Sequence, residues 1–130
     1  MTQLLLALDA VTVRVPSLDA GLSFYRDALG HELIWRDDAS GQAGLRLPES
    51  ATEIVLTTRH DYEPNWKVRS ADEAAEVFRA AGGAVRVEPF DIPVGRLTVL
   101  EDPFGNALVC LDTSRGAYTT DADGTVTGVR

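Results

Sequence analysis

Two carboxylates and two cations are the residues of this chain best suited to acid–base chemistry. Glu53 opens the run "EIVLTT" and Glu63 precedes "PNWKVRS"; either could act as a general base toward a proton next to a carbonyl. Arg14 and Lys67 could then stabilise the enolate or oxyanion that forms. The other reactive types have structural explanations. His31 follows Gly30, and a histidine past the end of a helix complements the helix dipole. His60 lies in the connection "RHDYEPNW", where a surface histidine is expected. Cys110 falls within a β-rich run as an inert buried thiol. "TTDADG" lacks the first Asp and the terminal Glu of a calcium loop, and a β-turn explains it. No Gly-rich phosphate loop, nucleophile elbow or Cys-x-x-Cys pair is present.

The elements that must position these side chains are visible as hydrophobic periods. "ALDAVTVRV" alternates, with Val11, Val13 and Val15 on one face of a strand and Ala10, Thr12 and Arg14 on the other. Ser17 can cap the helix that follows. Leu18, Leu22, Tyr25 and Leu29 recur at helical spacing, and Gly30 closes the run. Phe24, Tyr25 and Phe78 are expected to pack from their helices into cores. Three short strands follow, "HELIWRDD", "AGLRLPES" and "TEIVLTTR", giving the order β-α-β-β-β.

That order then recurs. "NWKVRS", the helix "ADEAAEVFRAAGG", and the strands "AVRVEPF", "GRLTVLE" and "ALVCLD" form a second module. An offset of 53 residues lays "VFRAAGG" on "FYRDALG" and aligns Val15 with Val68, Asp19 with Asp72 and Arg26 with Arg79. The same offset relates Lys67 to Arg14. The expected class is α+β, as two tandem βαβββ modules whose sheets face each other to form a cleft. A domain over 1–113 holds modules at about 7–58 and 63–113, and 114–130 form a hairpin or a flexible tail.

Composition narrows the partners. The 130 residues carry a formal net charge of −8. Nucleic acid and anionic membranes both require a basic surface, so neither is expected. A single cysteine suits a reducing cytoplasm. The opening run "MTQLLLALDAVTVRV" has no basic flank or cleavage site and merges into β alternation, so a strand is expected there and not a signal peptide.

The opening "VTVRVPSLDAGLSFYRDALG", the hairpin "EDPFGN" and the duplicated module together resemble the vicinal oxygen chelate superfamily of glyoxalases, extradiol dioxygenases and bleomycin-resistance proteins. The resemblance spans residues 8 to about 113. It implies a metal held by His or Gln, Glu, His and Glu from the first and last strands of the modules. Carried over to this chain, those positions are Ala10, Val55, Glu63 and Val109. Three are apolar, so no metal and no other cofactor is expected. A two-residue slip would bring Glu53 onto the face of position 55.

Strand parity completes the expected cleft. Glu63, Asn65 and Lys67 face it, while Trp66 belongs to a core. Arg46 and Arg96 could join the cations. The binding residues are then Thr12, Arg14, Trp35, Val55, Asn65, Lys67, Val109 and Leu111, and Glu63 and Glu53 are catalytic only if the protein is an enzyme. Trp35 either stacks on a planar ligand, as aromatics do in the bleomycin-resistance relatives, or is core or dimer interface. Three functions fit: a metal-independent protein that sequesters a small organic molecule with an anionic or carbonyl group, as in antibiotic resistance; a glyoxalase-like isomerase or lyase, metal-free or with a degenerate site; and a structural or regulatory module whose cleft is empty. A homodimer is expected, because such modules have sheet edges to bury.

Overall fold

The computed structural model describes residues 3–130; Met1 and Thr2 of the apolar opening run lie outside them. The chain separates into two compact units. One holds residues 9–64 and 118–128, here the N-terminal unit. The other holds residues 3–8, then 65–117 and 129–130, here the C-terminal unit.

In the N-terminal unit, strand β1 (Ala7–Arg14) leads to helix α1 (Leu18–Leu22), then β2 (Leu33–Asp37), β3 (Gln42–Arg46) and β4 (Glu53–Thr57). The sheet order is β2-β3-β4-β1, with β1 parallel to β4 and the other pairs antiparallel. In the C-terminal unit, β5 (Glu63–Lys67) leads to α2 (Ala71–Ala80), β6 (Ala84–Ile92), β7 (Gly95–Glu101) and β8 (Ala107–Leu111). Its order is β5-β8-β7-β6, again with the first strand parallel to the last. The βαβββ order therefore occurs twice, as the repeat predicts. The C-terminal segment forms a hairpin of β9 (Tyr118–Thr120) and β10 (Val126–Val129). The Asp121 carboxylate turns it by accepting from the Asp123 and Thr125 amides.

Local chemistry sets the helix starts. Ser17 accepts from the Ala20 amide and Ser70 from the Glu73 amide, each at 3.1 Å. The α1 backbone lies close on its sheet, because a Cβ at Gly21 would stand 3.0 Å from both Val15 and Leu56. Val15, Leu18, Leu22, Ala43, Leu45 and Leu56 form the core beneath it.

The helical period beyond Leu22 does not hold. The chain continues as a π-helical segment over Ser23–Ala28, and the Leu29 amide bonds back to the Phe24 carbonyl five residues earlier. A wider turn shifts the phase of every later side chain. Tyr25 still packs against the core, but Phe24 and Leu29, expected inside, are 55% and 53% exposed.

The C-terminal unit's core is Val68, Ala74, Ala75, Leu100 and Cys110, with Leu4, Leu5, Trp66, Phe78, Val85 and Leu108 against it. Burial pushes the Cys110 thiol up to about 11. Native protein should therefore resist a thiol-specific disulfide reagent at neutral pH and react fully once unfolded. Rapid labelling of the native state would show that the thiol is not enclosed.

Asp112 ends β8 as a buried carboxylate. It accepts from the Ala71 amide at the start of α2 (2.8 Å), the Arg96 amide (3.0 Å) and the Ser114 hydroxyl (2.7 Å). One side chain thus joins the helix start, β7 and the chain leaving β8.

Candidate functional site: the Trp35–Glu53 sheet face

In the N-terminal unit, register places one residue from each strand in a row. Thr12 on β1 stands beside Val55 on β4, Val55 beside Gly44 on β3, and Gly44 beside Trp35 on β2. One step along, Ala10 and Arg46 flank Glu53. Alternation puts all of these on the face away from α1, the face expected to bind. Glu53 belongs to it without any slip.

Gly44 determines the geometry of that face. The Trp35 indole crosses β3 where Gly44 has no side chain, and its Nε1 donates to Glu53 Oε1 at 2.8 Å. The ring also lies against Tyr118 of β9, with centroids 4.8 Å apart and planes tilted by 41°. Ala10, Trp35 and Val55 are buried, and Ile34, Tyr118 and Val126 pack around them. The C-terminal hairpin is therefore a cover on this face. It is also tied to β2, where the Arg36 amide donates to the Gly124 carbonyl at 2.8 Å.

Glu53 stays half-buried among these apolar neighbours. Burial pushes its carboxyl above the usual range, against the Trp35 hydrogen bond that favours the charge. The Asp9 carboxylate adds to the rise and the Arg46 guanidinium offsets part of it. A carboxyl of this kind can donate a hydrogen bond when protonated and accept a proton when ionised.

The remaining expected residues fall into two groups. Thr12 is buried, and its hydroxyl lies 2.7 Å from the Asp61 carbonyl and 3.1 Å from that of Glu63, so it ties the 61–63 connection to β1. Arg14, beyond Thr12 on the same face, is exposed and pairs with Asp61 at 3.4 Å. In the C-terminal unit, Asn65 stands beside Val109 and Lys67 beside Leu111, on the face away from α2. Asn65, Val109 and Leu111 are buried and Lys67 is partly so. Arg46 and Arg96 do not act as free cations. Arg46 pairs with Glu32 at 3.0 Å, and Arg96 is held by Asp91, Asp72 and the Pro89 carbonyl.

A divalent metal does not fit these residues. Ala10, Val55 and Val109 offer no donor side chain, and among the described residues no three His, Cys, Asp or Glu side chains gather as a metal would require.

Two contributors escape the sequence pattern. Gly44 carries a signal, a lone glycine inside a strand, which marks a close approach by another group. Tyr118 carries none, since nothing local ties a tyrosine near the C-terminus to β2.

The comparisons agree with this architecture. The family model for the glyoxalase/bleomycin resistance protein/dioxygenase superfamily matches residues 7–109. An uncharacterized protein of Mycolicibacterium smegmatis is 33% identical over 105 residues, covering 76% of this chain and 87% of that one. The methylmalonyl-CoA epimerase of Mycobacterium tuberculosis superposes with a TM-score of 0.68 at 22% identity, over 88% of this chain and 92% of that one. A Streptomyces coelicolor methylmalonyl-CoA epimerase variant in complex with 2-nitronate-propionyl-CoA gives 0.66 at 21% identity, over 85% and 99%. At such identities the structural likeness is one of fold. On the family match and the M. smegmatis relative, this chain belongs to the glyoxalase/bleomycin resistance protein/dioxygenase superfamily.

Proposed function

We propose that this protein binds a small organic molecule carrying a carbonyl group, without a metal, on the sheet face that holds Glu53. The observation that carries the reading is the Trp35–Glu53 hydrogen bond across Gly44. It holds one half-buried carboxyl in a fixed orientation beside the apolar Ala10 and Val55, with Thr12 and Arg46 on the same face, a mixture of apolar side chains and a few polar groups as in small-molecule sites. Glu53 supplies the polar contact, and Val55, Ala10 and the Trp35 ring supply the apolar wall. The fold neighbours include an epimerase in complex with methylmalonyl-CoA, so thioesters are the first ligands to try.

A second reading is favoured by the upward push on the Glu53 carboxyl. A base held nearer neutrality can take a proton from carbon next to a carbonyl and return it, which is isomerase chemistry. We also infer a homodimer, since edge strand β6 leaves Val87 and Phe90 more than two-fifths exposed. A reducing cytoplasm is the inferred compartment; among the described residues no helix is long and apolar enough to cross a membrane.

Native mass spectrometry of freshly purified protein tests the binding reading. We expect a dimer with no stoichiometric divalent ion, and any organic adduct should be lost in Glu53→Gln. A stoichiometric divalent ion would overturn the metal-free assignment. Incubation with acyl-CoA thioesters in D2O separates the two readings: deuterium uptake at carbon, abolished by Glu53→Gln, marks an enzyme.

A further inference from the structure

The C-terminal hairpin lies outside both βαβββ modules, yet it contacts the Trp35 ring on the Glu53 face. Trp35 stands on β2, the edge strand of its unit's sheet, and Glu53 on β4, with β3 between them. Side chains ordinarily stand off a sheet, and neighbouring strands are about 4.8 Å apart. To donate to Glu53 at 2.8 Å the indole leans inward across β3, where Gly44 leaves it room. That posture needs a second contact. Nε1–H is the only hydrogen-bond donor of an indole, and one bond fixes one ring atom without fixing the plane. The Tyr118 ring, with its centroid 4.8 Å from that of Trp35, supplies the contact.

Backbone contacts fix where the hairpin brings that ring. The Asp121 carboxylate and Gly124, at a φ of +84°, shape its turn. The Gly124 carbonyl accepts from the Arg36 amide at 2.8 Å, and a Cβ at Gly124 would stand 3.2 Å from Leu33. The turn is therefore seated on β2 beside Trp35. The Arg36 guanidinium is itself paired with Asp19 and Asp38. Val126 on the second strand of the hairpin packs against the Ala10–Trp35–Val55 cluster. In the other unit β6, β7 and β8 hold no tryptophan, so the arrangement occurs in one repeat only. Residues 118–128 of the hairpin belong to the same unit as that repeat.

We propose that Tyr118 is a positioning residue of the Glu53 site: its ring holds the Trp35 indole across Gly44, and the indole in turn holds the Glu53 carboxyl. The assignment rests on the Glu53 reading and extends that site to a segment outside the duplicated modules. The groups that act on the Glu53 carboxyl besides Trp35 are Asp9 of β1 and Arg46 of β3. Burial, and then Asp37, push the Tyr118 hydroxyl up, so it does not titrate across the acid range where Glu53 does.

The test reads the Trp35 indole N–H by NMR in full-length protein without ligand, with the Trp66 indole of the C-terminal core as internal control. In Tyr118→Ala, exchange of the Trp35 indole proton with solvent should quicken roughly tenfold, the upper end of what one aromatic pair contributes, while Trp66 keeps its rate. Tyr118→Phe, which keeps the ring and drops the hydroxyl, should retain the slow rate. The Glu53 titration adds a readout that a merely structural role would not move. Trp35→Phe should raise the Glu53 midpoint in otherwise unsubstituted protein and leave it nearly unmoved in Tyr118→Ala, where the indole no longer reaches the carboxyl. An unchanged indole rate in Tyr118→Ala, or an equal effect of Trp35→Phe in both backgrounds, would overturn the Tyr118 assignment and leave the Glu53 reading standing. Fast exchange in Tyr118→Phe would overturn the ring contact as the cause, and equal quickening at Trp66 would trace the change to general loosening of the chain and overturn it too. A Glu53 midpoint in the ordinary range that Trp35→Phe does not move would overturn the Glu53 reading and this assignment with it.

Discussion

Gly44→Ala should destabilise the protein by about 3 kcal/mol, the size expected when a methyl is forced into a filled space and a partly buried hydrogen bond is lost with it. A Cβ at this position would overlap the Trp35 indole nitrogen and stand 2.7 Å from Glu53 Oε1. The backbone is extended here and tolerates alanine, so the whole effect comes from the ring above it. To make room the indole must lift, which breaks the bond to Glu53 and disturbs the contact with Tyr118. Thermal unfolding should show Tm lower by roughly 10 °C. The mobility of the C-terminal hairpin should rise with it, read as faster hydrogen exchange at the Arg36 amide. An unchanged Tm would mean that the indole does not lie across Gly44.

Asp112→Ala should cost a similar amount, about 3 kcal/mol, for a different reason. Asp112 is 4% exposed, and its carboxylate serves the amides of Ala71, Arg96 and Ser114. Truncation leaves those donors without their acceptor and removes a stabilising charge at the start of α2. The pH dependence follows from the balance at this group. Burial pushes its carboxyl up, but the hydrogen bonds from Ala71, Ser114 and Arg96 outweigh burial and hold it below the usual aspartate range. A depressed folded-state pKa gives stability that is fully present above the unfolded value, about 3.9, and is lost as pH falls through the folded value. Asp112→Asn should flatten that acid limb in a pH series of denaturant midpoints. An acid limb as steep as in the unsubstituted protein would remove Asp112 as its source.

The two βαβββ modules were legible because each depends on local signals. Alternation at 7–15 separates Val13 and Val15 from Ala10, Thr12 and Arg14, and Ser17 announces the first helix start. The 53-residue offset extends the reading to the second half without further assumption. The phase slip after Leu22 was not legible, because a π-helical turn leaves no mark in a hydrophobic period. Nor was the environment of Glu53. Alternation assigns it a face, but the bond to Trp35 depends on which residues of β2, β3 and β4 come level, and register is set by the packed sheet. The hairpin cover depends on Tyr118 meeting Trp35 across 83 positions of chain, a contact with no local signature. Arg46 and Arg96 show the same limit for charges. Their salt-bridge partners come from other elements, and only the folded chain reveals that both are already engaged.

Glu53 carries the functional reading, and its titration tests that reading most directly. Its pH linkage has the opposite sign to that of Asp112. A carboxyl raised on folding favours the folded state below the unfolded value, about 4.3, and that contribution is lost as pH rises through the folded value. The decisive measurement is the side-chain carbonyl chemical shift of Glu53 followed by NMR across pH 3–9 in protein labelled at glutamate. The midpoint should lie above the ordinary glutamate range and move higher still in Trp35→Phe, where the hydrogen bond that favours the charge is gone. A midpoint at or below the ordinary range, unmoved by Trp35→Phe, would make Glu53 a solvated surface carboxylate and not the polar centre of a binding face.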